Sequence, residues 1–105
     1  MANTFKRYTL DGITSKTNFH GAIAADTENV VIGLQVANVG ASTATVHAYL
    51  YNGSADIYIA KSVPIPVGST LSLLDGKIIC TTADIVKLES DIAVDGILSV
   101  LEQAP

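Results

Sequence analysis

The stretch Val30-Val31-Ile32-Gly33-Leu34-Gln35-Val36-Ala37 decides how this chain is read. Side chains on an extended backbone point alternately to opposite faces, so Val30, Ile32, Leu34 and Val36 are expected on one face. Val31, Gly33, Gln35 and Ala37 then fall on the other. Four large aliphatic residues in a row are what a strand turns toward a core. Asn38-Val39-Gly40-Ala41-Ser42 closes the strand with turn-forming residues.

The same rhythm continues toward the C-terminus. Residues 43–51 set Ala44, Val46, Ala48 and Leu50 against Thr43, Thr45, His47, Tyr49 and Tyr51, the β-branched and aromatic mixture of a half-exposed sheet. Asn52-Gly53, extended by Ser54-Ala55, supplies the positive-φ chemistry of a hairpin, and residues 56–61 return as its second strand. Pro64 and Pro66 are expected to end that ladder, because proline has no N–H to give it. Asp75-Gly76 repeats the hairpin signal between residues 71–74 and 77–80. Two more strands are expected over residues 85–89 and 94–101. Toward the N-terminus the pattern turns irregular, with Asp11-Gly12 as a turn and Asn18-Phe19-His20-Gly21 as a loop. The expectation is a single domain with an N-terminal arm and first strand over residues 1–28 and a body over residues 29–105. Its class is all-β, an antiparallel sandwich of about seven or eight strands, immunoglobulin-like or jelly-roll-like.

Composition supports a packed domain. Of 105 residues, 49% are hydrophobic and 15% charged, far from the signature of disorder. So little charge is compatible with surface covered by partner chains, and equally with a Ser/Thr/Asn-rich solvent face. The formal charge of −4 comes without a basic stripe, which argues against nucleic-acid binding. Lys6-Arg7 reads as an exposed strand edge. No apolar run approaches the roughly 20 residues that span a bilayer, and the opening residues do not read as a signal peptide. The single cysteine, Cys80, sits in the apolar run Ile78-Ile79-Cys80 and reads as a small buried hydrophobe in a reducing compartment.

Catalytic constellations are scarce. Nucleophilic catalysis needs a base beside Ser, Cys or Thr, and the two histidines are His20, in a loop, and His47, on an outer strand face. Zinc would need clustered Cys and His. Asp84, Glu89, Asp91 and Asp95 lie close in sequence but match no calcium loop, and the glycines fit no phosphate-binding motif. The expectation is therefore no enzyme, no metal and no cofactor. Tyr49, Tyr51 and Tyr58 flank the Asn52-Gly53 hairpin and carry two readings, an interface anchor or cross-strand pairing.

Several segments together resemble small virion structural proteins of tailed bacteriophages, especially those of cyanobacterial and marine phages. They are Met1-Ala2-Asn3-Thr4-Phe5-Lys6-Arg7, Val31-Ile32-Gly33-Leu34-Gln35-Val36-Ala37-Asn38, Ile57-Tyr58-Ile59 leading to Pro64-Ile65-Pro66-Val67-Gly68-Ser69-Thr70-Leu71, Asp75-Gly76-Lys77-Ile78, and Val94-Asp95-Gly96-Ile97-Leu98-Ser99-Val100-Leu101-Glu102. Cys80 departs from the aliphatic residue expected at its place. The resemblance implies a capsid decoration or cement subunit, made in the host cytoplasm and located in the virion. Its partners would be the major capsid protein, other virion proteins and further copies of itself, without nucleic acid or membrane. On that view residues 2–28 reach the partner, with Phe5, Tyr8 and Phe19 as anchors, and Tyr49, Tyr51 and Tyr58 add interface area. A tail, neck or baseplate component and a host-surface carbohydrate-binding module are the alternatives.

Overall fold

The computed structural model describes residues 2–104. Nine strands follow one another, with no helix among the described residues: β1 (Ala2–Ile13), β2 (Thr17–Asn18), β3 (Glu28–Asn38), β4 (Ala44–Tyr51), β5 (Asp56–Ile65), β6 (Thr70–Ser72), β7 (Ile78–Cys80), β8 (Ile85–Ser90) and β9 (Val94–Ala104). They form two antiparallel sheets. Sheet A has the order β1-β9-β3-β6, with β7 also on β3, and sheet B the order β2-β8-β4-β5.

The pairings are nested. β4 pairs β5 across the Asn52 turn, β3 pairs β6 and β7, β2 pairs β8, and β1 pairs β9. A ribbon folded at Asn52 and then rolled, so that β9 also meets β3 and β8 also meets β4, is a jelly roll. The immunoglobulin arrangement distributes its strands differently and is not the one found here.

Local chemistry explains the central hairpin. Asn52 Oδ1 accepts from the N–H groups of Ser54 and Ala55 at 3.1 and 2.9 Å, and Gly53 takes φ 95°. Such a conformation is cheap for glycine.

Four features differ from the sequence expectation, each for a physical reason. First, β3 changes phase. Val31 pairs Val100 and Gly33 pairs Ser99, so Ile32 is an extra residue, a β-bulge. Asn29 and Val31 point inward before it and Leu34, Val36 and Asn38 after it, while Val30 is half-buried on the outside and Ile32 is 44% exposed. Second, the Asp75-Gly76 turn does not join a hairpin. β6 and β7 both lie along β3, against residues 35–37 and 29–31, as one edge strand interrupted by an excursion over residues 73–77 opposite the bulge. Third, Pro64 lies inside β5, opposite Thr45. β5 is an edge strand, so the missing N–H falls where no ladder bond is needed. Fourth, twelve residues of the region expected to be irregular, Ala2–Ile13, are β1, paired to β9 from Ala2 through Leu10 and again at Ile13. An edge strand has polar residues on both sides and need not alternate.

Between the sheets lie Leu34, Val36, Val46, Ile65, Val86, Leu88, Val94, Leu98 and Val100, with almost no exposure. Each such burial contributes about 1.5–3 kcal/mol. Asn38 ties the layers together at one end. Its Nδ2 donates to the carbonyls of Ser42 and Ile65, both at 2.8 Å, and its Oδ1 accepts from Gly40 N–H at 2.9 Å.

Phe19, expected in a loop, is 6% exposed and packs over Gly96. A Cβ at Gly96 would stand 2.8 Å from Leu88 Cδ2 and 2.9 Å from Phe19 Cζ, inside van der Waals contact with two confined side chains. Gly96→Ala is therefore expected to destabilise the fold by about 1–3 kcal/mol through overpacking. Gly33→Ala, whose Cβ would meet nothing closer than Ser99 Cβ at 3.9 Å, should stay within about 0.5 kcal/mol of the parent. Equilibrium denaturation of the two variants measures both.

Candidate functional site

Sheet B carries the aromatic and charged side chains on its outer face. β4 turns His47, Tyr49 and Tyr51 outward. β5 adds Tyr58 opposite Tyr49, and β8 adds Lys87 opposite Tyr49 and Glu89 opposite His47. Lys16, from the β1–β2 connection, crosses above them. Its Nζ lies 4.3 Å from the centre of the Tyr49 ring and 2.8 Å from Asp56 Oδ2. Lys87 Nζ stands 3.2 Å from Asp56 Oδ1, an ion pair without hydrogen-bond alignment, and 4.4 Å from the Tyr51 ring centre.

The Tyr49 and Tyr58 rings meet at 4.8 Å, and Tyr49 O–H donates to Glu89. Burial, and then that bond, hold the Tyr49 phenol well above its ordinary range. His47 Nδ1 accepts from Ser62 N–H at 3.1 Å, at the point where Ser62 takes φ 54° and β5 slips its register. Beside this group a polar groove of roughly 520 Å³ runs between Lys16, His47, Glu89 and Asp91.

The face is satisfied from within the chain. Tyr49 is 5% exposed, so a sugar ring or a partner has no free ring face to stack on there. The Tyr49–Tyr58 contact is the cross-strand pair the hairpin would need in any case. Asp56, bonded to Lys16 and beside Lys87, has its carboxyl held below the ordinary 3.8.

The other expected anchors are dispersed. Phe5 is 77% exposed on β1, whereas Phe19 belongs to the core. Tyr8 is half-buried, with its ring 5.2 Å from that of His20. Tyr51 is half-buried beneath Lys87, and Tyr58 is 47% exposed. His20 is held by backbone: Nε2 accepts from Val86 N–H at 3.2 Å, leaving Nδ1 to donate to the Gly21 carbonyl at 2.6 Å. Cys80 is fully buried, its thiol pushed up to about 11 by burial and by the Asp84 carboxylate. Asp84 accepts from Thr81 N–H at 2.8 Å and serves its own turn. Among the described residues no three His, Cys, Asp or Glu side chains gather as a metal site would require.

No protein-family model and no curated protein matches the sequence. Among solved structures the chain is similar to one from Bacillus endospore appendages, described as a novel family of disulfide-linked pili. The TM-score is 0.58 at 13% identity, over 96% of this chain and 84% of that one. At that identity the likeness shows the shared fold.

Sheet A is the residue set that sequence reasoning missed. Its outer face carries Ile32, Ile79 and Ile97 at 44%, 54% and 46% exposure besides Phe5, with no ion pair drawn across them among the described residues. The bulge put Ile32 there, and no pattern within β3 alone signals it.

Two measurements test this description. Replacing Asp56 by Asn should lower stability by about 0.5–1 kcal/mol at neutral pH, the scale of partly exposed ion pairs. Because the folded-state carboxyl lies below 3.8, its contribution is present above the unfolded value and is lost as pH falls through the folded one. The gap between parent and variant should therefore close in acid. For Cys80, a thiol reagent at pH 8 should leave the folded protein unmodified and react promptly after denaturation; fast labelling of the native state would contradict the burial.

Proposed function

We propose that this chain is a non-enzymatic structural subunit of a bacteriophage particle, a decoration or cement protein that packs onto coat subunits. The observation that carries the proposal is apolar exposure on three separate sides of the domain. Phe5, Ile32, Ile79 and Ile97 lie on the outer face of sheet A. Val39 and Val67, 53% and 54% exposed, lie at the end where Asn38 N–H bonds Ser69 and Val39 N–H bonds Ala93. Ile57, 51% exposed, lines a groove of roughly 390 Å³ with Leu73, Leu74 and Ile78 at the mouth between the sheets.

A free monomer gains nothing from several such patches and risks aggregation through them. A subunit with neighbours on more than one side uses each, and repetition over a lattice multiplies modest contacts into firm attachment. The phage resemblance of the sequence supports the particle. The similarity to a solved pilus subunit supports the fold's suitability for ordered assembly. That protein is described as disulfide-linked, whereas the lone Cys80 here is buried, so attachment in this case is by surface packing.

The end bearing Val39 and Val67 is the side assigned to the coat. Electron cryomicroscopy of intact particles should show many copies on the head, with this end down. Val39→Asp combined with Val67→Asp should fold normally yet fall at least about tenfold in copies per particle. Purified particles devoid of the protein, or undiminished occupancy by the double variant, would count against the reading.

A further inference from the structure

We infer that the outer face of sheet A is a self-docking surface through which two copies of this chain pair about a two-fold axis. The inference rests on the structural-subunit reading and adds one of the surfaces and its occupant.

The register supplies the patch. Phe5 pairs Leu101, Leu101 pairs Val30, and Val30 pairs Ile79. Their neighbours Val31 and Val100 point into the core at 2% and 1% exposure, so this row points outward. One unbroken apolar row therefore crosses β1, β9, β3 and β7. Ile97 on β9 and the bulged Ile32 widen it. On sheet B the equivalent surface is spanned by Lys16, Asp56 and Lys87; sheet A has no such cover.

Charge indicates what occupies it. Two residues along β1 from Phe5 stands Arg7, in the row of Ser99. Two residues back along β3 from Val30 stands Glu28, in the row of Gln103 and on the other side of the apolar row. Both are exposed, and among the described residues neither has an ion-pair partner. A two-fold axis lying in the interface and passing over Leu101 exchanges these two corners. Arg7 of each copy then meets Glu28 of the other while the apolar rows cross at the centre. Such self-complementarity is the property an isologous contact needs.

Size agrees. β9 is 11 residues long, roughly 37 Å at the antiparallel rise, and four strand widths add roughly 19 Å. The face of on the order of 700 Å² is close to the roughly 800 Å² per partner of a standard interface. It accommodates a sheet of its own dimensions and little more.

Sedimentation equilibrium of the purified chain tests the inference. The parent should show a reversible monomer–dimer equilibrium. Phe5→Asp with Ile79→Asp should raise the dissociation constant at least about tenfold, with the circular dichroism and denaturation midpoint of the parent, since both side chains are exposed. Arg7→Glu alone and Glu28→Arg alone should each weaken the dimer severalfold, and the double exchange should restore it. A parent that stays monomeric to roughly 1 mM, or a double exchange no tighter than the singles, overturns the two-fold pairing. A monomeric parent that still coats particles overturns this surface and leaves the decoration reading standing. A dimer disrupted at this face but absent from particles does the reverse.

Discussion

The single extra residue at Ile32 is the constraint on which the rest of the molecule depends. A strict alternation through β3 would send either Asn29 and Val31 or Leu34, Val36 and Asn38 to solvent, because one residue of slip reverses every following side chain. The bulge lets both groups face inward, so β3 contributes to the core along its whole length. It also fixes what lies on either side. The edge strand beyond it breaks into β6 and β7 at the same level, with Leu73 N–H giving the Leu34 carbonyl a last bond at 2.9 Å before the break. The outward turn of Ile32 beside the row from Phe5 to Ile79 comes from that same irregularity.

With the core arranged in this way, the two outer surfaces are chemically unlike. Sheet B neutralises itself with Lys16, Lys87 and Asp56 over a floor of tyrosines, whereas sheet A leaves an apolar row uncovered between Arg7 and Glu28. The edges are guarded against strand addition: β5 has Lys61, the positive-φ Ser62 and Pro64, β1 has Lys6 and Arg7, and β2 is only two residues long. Charge, proline and brevity at an edge discourage open-ended pairing of backbones. Pairing of backbones between molecules is thereby disfavoured at these edges.

Much of this architecture was legible in the chain. The β4–β5 hairpin is announced by Asn52-Gly53 because its turn is local, built from one amide side chain and one glycine. The sandwich class follows from evenly spaced strands and turns. What could not be read depends on partners distant in sequence. The phase of β3 is decided by β9, and the strand nature of residues 2–13 by the availability of an edge. Whether Asp75-Gly76 joins two strands or merely interrupts one is decided by β3. Phe19 was hidden for the same reason: a lone aromatic in a polar loop finds its place only because Gly96, far along the chain, leaves a hollow for it. Tyr49 and Tyr58 meet across the hairpin that Asn52-Gly53 announces, but the burial of Tyr49 beneath Lys16 depends on a tertiary crossing that no local pattern announces.

The nested pairing has a consequence for timing. β9 lies between β1 and β3, so sheet A has no continuous ladder until residues 94–104 have been made. At ordinary rates of synthesis, β3 waits on the order of several seconds for the strand that will join it to β1. By the end of that interval sheet B and the pairs of β3 with β6 and β7 have all their strands, while the apolar row still lacks its β9 member. A surface that comes into being only with β9 cannot capture a neighbour before that strand has been made.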